Sequence, residues 1–151
     1  MSALDREVLA EKLQVVRRHL TRVADRLPAD PATFQPSSDV SDAVVLHLWQ
    51  ATQIVIDVAL AACVRRNLGT PSGYADAFRR LQAAGMIDAE LSDRLARAAG
   101  FRNMIAHAYE SLDMARVYRA AKEGPRDLLA FLARVYDSLP ATPLADDAPT
   151  T

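Results

Sequence analysis

The sequence predicts an all-α protein, a bundle of four longer helices and one short helix, on three observations. Apolar residues recur at spacings of three and four over most of the chain, no segment alternates with the period of two that a strand requires, and proline or glycine closes the periodic stretches. With 151 residues the chain is long enough for one compact domain with a single core and too short for two ordinary ones. Residues 1–139 are assigned to that domain. Residues 140–151, rich in Pro, Ala, Thr and Asp, have nothing to bury and are expected to be a disordered tail.

Leu9, Leu13, Val16, Leu20, Val23 and Leu27 form the stripe of a first amphipathic helix, which Pro28 and Pro31 stop. Residues 27–39 hold three prolines and are expected to cross the surface as a connector. A second helix begins within residues 38–42, where Ser and Asp side chains can cap free amides, and runs to about Asn67 before Gly69 and Pro71. It is apolar nearly all round, so it belongs at the centre of the bundle. His47, Gln50, Gln53 and Asp57 interrupt its apolar run, which makes it a poor membrane span, and Gln50, Gln53 and Asp57 share one stripe. A short helix over residues 74–84 ends at Gly85. Asp88 caps the next, in which Leu91, Leu95, Ala98 and Arg102 keep the spacing through Gly100. A last helix over residues 112–139 buries Leu128, Phe131, Leu132, Val135 and Leu139, with a kink or break expected at Gly124 and Pro125.

Composition excludes several functions. Half of the residues are hydrophobic and a quarter charged, the balance of a globular protein, and the net charge of -1 argues against a broadly basic surface for DNA or any other polyanion. Contact with nucleic acid must be local. Cys63 is the single cysteine and no Cys or His cluster has ligand spacing, so neither a disulfide nor a metal site is expected. The first residues are charged where a signal peptide would be apolar, which points to the cytoplasm.

Chemistry concentrates in residues 102–109, Arg-Asn-Met-Ile-Ala-His-Ala-Tyr. Arg102 stands on the helical stripe where an apolar residue is expected. A desolvated guanidinium requires either a carboxylate, with Asp57 the candidate orienting partner, or an anionic ligand. Asn103 and His107 are four apart and share a face, Arg102 and Tyr109 are seven apart and share another, and Arg102 and His107 point about 140° from each other. One regular helix therefore cannot bring Arg102 and His107 onto one atom. Either the helix loosens before His107, or two chains bring their copies together across a symmetric interface. The second arrangement, with two imidazoles and two guanidiniums in one groove, suits RNA cleavage by the RNA's own 2′-hydroxyl. Histidine serves as acid or base because its ordinary pKa lies near neutrality, and arginine holds the charge that develops on phosphorus oxygens.

Arg102-Asn103, then His107 after three residues, then Ala108-Tyr109, resembles the R-x4-H-x-Y signature of the HepT toxins within the HEPN superfamily of helical proteins. The similarity covers about residues 40–135. It implies the toxin of a type VII toxin–antitoxin system, a metal-independent endoribonuclease without a cofactor that works as a homodimer or higher oligomer. Arg102 and His107 would be catalytic and Asn103 would assist. The implied partners are RNA and an MntA-type minimal nucleotidyltransferase antitoxin, which would inactivate the enzyme by transferring AMP onto Tyr109. Plainer roles exist for each residue alone: an ion pair for Arg102, a core histidine for His107, surface packing for Tyr109. An alternative for the whole chain is a non-catalytic HEPN module that binds a nucleotide or a nucleotidyltransferase. Arg65, Arg66, Arg79, Arg80, Arg94 and Arg97 could extend a basic surface, whereas His19, His47 and Trp49 attach to no motif.

Overall fold

The computed structural model describes residues 4–141, and the expectations for residues 1–3 and for most of the tail, 142–151, lie outside the described residues. Five α-helices form the fold: α1 (Arg6–Arg26), α2 (Asp39–Arg65), α3 (Tyr74–Ala83), α4 (Ala89–Ala108) and α5 (Met114–Ser138). Single 3-10 turns, Pro31–Thr33 and Tyr109–Ser111, precede α2 and follow α4, and no strand occurs among the described residues. The all-α bundle read from the sequence is the observed one.

The helix ends explain why these segments start and stop where they do. Asp5 caps α1 by accepting from the Val8 amide at 2.8 Å, and Leu4 and Leu9 bury on either side of that cap in one cluster. Ser38 and Ser41 cap the start of α2 reciprocally, each side chain accepting from the other's amide. Asn67, at φ 55°, ends α2 in a left-handed turn with the Leu68 amide donating to the Cys63 carbonyl at 3.0 Å. Gly85 does the same after α3 at φ 80°, a conformation that glycine adopts without steric penalty. Asp88 caps α4 through the Leu91 amide at 2.8 Å.

The helix α2 is the axis of the domain, and every other helix packs on it. It is long and apolar enough to cross a membrane by length and composition alone, but half of its most apolar stretch is buried inside this protein. The apolar interior divides into two clusters. Leu9, Val55, Ile56, Phe78, Leu95 and Phe131 represent the first, where Phe78 and Phe131 meet edge to face at 5.3 Å. Val44, Leu48, Phe101, Ile105, Val117 and Tyr118 belong to the second, at the end of the bundle that carries the motif.

Two details differ from expectation. Helix α5 runs unbroken through Pro125. Proline removes one helical hydrogen bond, yet Val117 and Ala121 before it and Leu128, Phe131, Leu132 and Val135 after it bury a continuous face, so packing keeps the helix from breaking there. The connector before α2 is not a mere surface crossing. Phe34 is buried within it against the Tyr118 ring at 5.8 Å, and the Tyr118 hydroxyl donates to the carbonyls of Pro28 at 2.8 Å and Ala29 at 3.2 Å.

A contact between His19 of α1 and His47 of α2 was not anticipated. Their Nδ1 atoms lie 3.0 Å apart, so one ring nitrogen donates to the other. Burial and the neighbouring positive charges hold both below the ordinary histidine pKa: His47, Arg22 and Arg18 around His19, and Arg22 and Arg26 around His47. A base whose folded pKa is lowered contributes stability above its unfolded pKa and loses it as pH falls through the lowered value. The thermal midpoint should therefore drop as pH is lowered below about 6.5, and His19→Gln should flatten that slope, measured by circular dichroism melts. In urea unfolding, Phe131→Ala should destabilise the domain by about 3–5 kcal/mol, since it empties the aromatic pair of the first cluster.

Candidate functional site

Phe101 and Ile105 anchor the last turns of α4 in the second cluster. One turn apart on the helix, they fix its rotation and leave Asn103 and His107 exposed, with Arg102 half-buried between core and solvent. The guanidinium of Arg102 lies over the Trp49 ring of α2 at 5.0 Å and over the Tyr74 ring at the start of α3 at 5.6 Å. Its Nη1 donates to Asn103 Oδ1 at 3.2 Å, while its Nε is buried with no hydrogen-bond partner among the described residues.

Asp57 is not the partner of Arg102. It accepts instead from Gln53 Nε2 at 2.9 Å, one turn away on its own helix, and no carboxylate lies within ion-pair distance of Arg102 among the described residues. Two aromatic faces stand where the carboxylate, one of the two alternatives for Arg102, would have been. They attract the cation through their quadrupoles without neutralising it, so the positive charge stays available to an anion. Trp49 is thus a candidate site residue, although the sequence reading attached it to no motif. Its one visible signal was its place one turn before Gln53, at the edge of the polar stripe on α2.

His107 sits in the last turn of α4, exposed. The helix does not loosen before it. Regular α-helix continues to Ala108, so Arg102 and His107 of one chain keep the divergence of about 140° that helical geometry imposes. The break comes one residue later: Ala108 adopts φ -140° and ψ 37° as the chain enters the 3-10 turn. Tyr109 therefore leaves the Arg102 face and crosses to the start of α2, where its hydroxyl donates to Asp42 Oδ1 at 2.6 Å. That bond, then burial and the Asp42 charge, push the phenol pKa up to about 12. Tyr109 and Trp49 line one shallow apolar pocket with Val45, Leu46 and Ile105. Asp42 was legible only as a first-turn acid of α2.

The other arginines singled out from the sequence divide by role. Arg65 donates to the Leu4 carbonyl at 3.0 Å, and Arg80 to the Leu68 carbonyl at 2.7 Å and to Asp76. Both brace chain segments. Arg94 pairs with Asp127 at 3.0 Å and, with Arg97, Arg116 and Arg119, borders a cleft of about 300 Å³ between α4 and α5. Arg116 and Arg119 were not anticipated. Cys63 is buried and its thiol donates to the Ala77 carbonyl at 3.5 Å. No group of three residues able to hold a metal ion occurs among the described residues.

Residues 16–135 match the family described as ribonuclease HepT-like. An mRNA nuclease HepT of Shewanella oneidensis is 25% identical over 126 residues, covering 83% of this chain and 94% of that protein. The HEPN toxin of Shewanella oneidensis, solved tri-AMPylated and in complex with an MNT antitoxin, has the same fold with a TM-score of 0.77 and 25% identity, over 86% of this chain and 97% of its own. A cytosolic Bacillus subtilis protein of unknown function shares the fold alone, with a TM-score of 0.75 at 17% identity over 91% of this chain and 92% of its own. The resemblance drawn from residues 102–109 therefore holds for both family and fold, and the chain belongs to the ribonuclease HepT-like family of HEPN proteins.

Proposed function

We propose that this protein is the toxin of a toxin–antitoxin pair, a metal-independent endoribonuclease that acts in the cytoplasm as a symmetric homodimer. The observation that carries the reading is the state of Arg102: a half-buried guanidinium held between Trp49 and Tyr74 with no carboxylate, which leaves its charge for a phosphodiester. The relatives' descriptions as an mRNA nuclease and a HEPN toxin support it.

Because Arg102 and His107 diverge on one helix, the reaction needs two copies of α4. Self-association is supported by the outward side of α2, where Leu46 and Val64 are 50% and 68% exposed. They stand eighteen residues apart, five full turns, and so share a face. In the paired groove, His107 of one copy takes the proton from the 2′-hydroxyl as its oxygen attacks phosphorus. The bond from phosphorus to the 5′-oxygen breaks, and His107 of the other copy protonates the leaving oxygen. Arg102 stabilises the charge on the non-bridging oxygens, and Asn103, which already touches the guanidinium, holds it in register. The products are a 2′,3′-cyclic phosphate and a 5′-hydroxyl. An MNT-type nucleotidyltransferase would silence the enzyme by placing AMP on Tyr109. This reading is supported by the tri-AMPylated toxin of Shewanella oneidensis and by the position of Tyr109 just past the helix that carries Arg102 and His107.

With a chelator present, the purified protein should still cleave RNA and leave cyclic phosphate ends, read by gel and mass spectrometry. His107→Ala should lower the rate by about 10²–10⁴-fold with the helical circular dichroism unchanged, and undiminished cleavage would end the assignment. If the protein only binds nucleotides, neither variant nor wild type will cut. Trp49→Leu removes the larger π face under the guanidinium and should weaken RNA cleavage by on the order of tenfold, a change expected from losing about 1–2 kcal/mol of cation–π attraction.

A further inference from the structure

The seat of Tyr109 is more specific than a surface tyrosine needs. After the break at Ala108, the 3-10 turn Tyr109–Ser111 carries the side chain to the first turns of α2, where it borders an apolar pocket with Val45, Leu46 and Trp49 and its hydroxyl gives a short hydrogen bond to Asp42. Asp42 lies in the first turn of α2, near the positive end of its dipole. The bond joins an anionic acceptor to a neutral phenol, the stronger kind of hydrogen bond.

From this geometry we infer that Asp42 is a latch: it holds unmodified Tyr109 against α2, and adenylylation of Tyr109 breaks the latch and releases the turn that follows α4. The inference rests on Tyr109 being the acceptor of AMP. In that reaction the Tyr109 oxygen forms a bond to the α-phosphorus of ATP, the bond to pyrophosphate breaks, and the phenolic proton is released to solvent. The aryl phosphodiester has no O–H left to donate and carries a negative charge. Facing it, Asp42 changes from hydrogen-bond acceptor to like-charge neighbour, so the seated position is stable before the transfer and repulsive after it. The latch also restrains the transfer itself: the bond to Asp42, burial and the Asp42 charge hold the phenol in its protonated, less nucleophilic form. Asp42 is a positioning residue, distant from the cleavage chemistry of Arg102 and His107 in its role.

An enzyme-free probe tests this without an antitoxin. N-acetylimidazole acetylates exposed tyrosine oxygens: the oxygen attacks the acetyl carbon and imidazole leaves with the proton. At fixed pH, Tyr109 of the folded Asp42→Ala protein should acetylate faster than wild type by on the order of tenfold, located by peptide mass spectrometry. Equal or slower acetylation overturns the latch. If the alanine variant fails to fold by circular dichroism, Asp42→Asn is judged by the same comparison. After acetylation of the wild type, amides of residues 109–111 should exchange hydrogen faster, and unchanged protection overturns the release. Transfer from ATP by an MNT-type nucleotidyltransferase then separates the two ideas. AMP on Tyr109 at equal rates in wild type and Asp42→Ala overturns the latch and leaves the modification intact, whereas AMP on another residue removes the modification on which the latch rests.

Discussion

The site depends on how one cation is desolvated. Moving a guanidinium partly out of water demands compensation, and proteins ordinarily supply it with a carboxylate. Here two π faces supply it. The difference matters because a carboxylate cancels the charge of the arginine, whereas an aromatic ring stabilises the cation and leaves its net charge in place. The buried Nε is left over from that exchange: among the described residues no group accepts from this donor of the fork. A binding site for a phosphodiester needs a positive group that is held in position and not already neutralised, and Arg102 meets both requirements.

Helical periodicity is the second constraint. Because α4 stays regular through His107, the motif places its two principal side chains on different faces, and no rotamer choice in one chain removes that separation. In the proposed dimer, symmetry would supply what one chain lacks. The break at Ala108 then has a separate use: it frees Tyr109 from the direction of the helix and sends it to α2, so residues two apart in sequence face different surroundings.

Much of the fold was legible because its signals are local. Asp5, Ser38 and Asp88 sit where capping chemistry requires a side-chain oxygen, and the apolar spacing carries α4 through Gly100 without interruption. Pro125 misled because the local rule says break, whereas the buried residues on either side, which no local rule weighs, keep α5 in one piece. The candidate residues 102–109 stood out in the sequence, together with the need for a partner at Arg102. The identity of that partner did not. Trp49 and Tyr74 come from other helices, and the choice between Asp57 and an aromatic pair is settled by how α2, α3 and α4 dock, which spacing along one helix does not encode. The His19 and His47 contact escaped for the same reason, since it exists only where α1 meets α2.

One further consequence follows from the position of Trp49. It is the chain's only tryptophan, and its indole lies under the cation of the site while also lining the pocket that Tyr109 borders. Indole emission responds to nearby charge and to hydration. The protein thus carries a built-in optical gauge, in which an anion drawing the guanidinium away and a departing phenol each alter the light from a single chromophore.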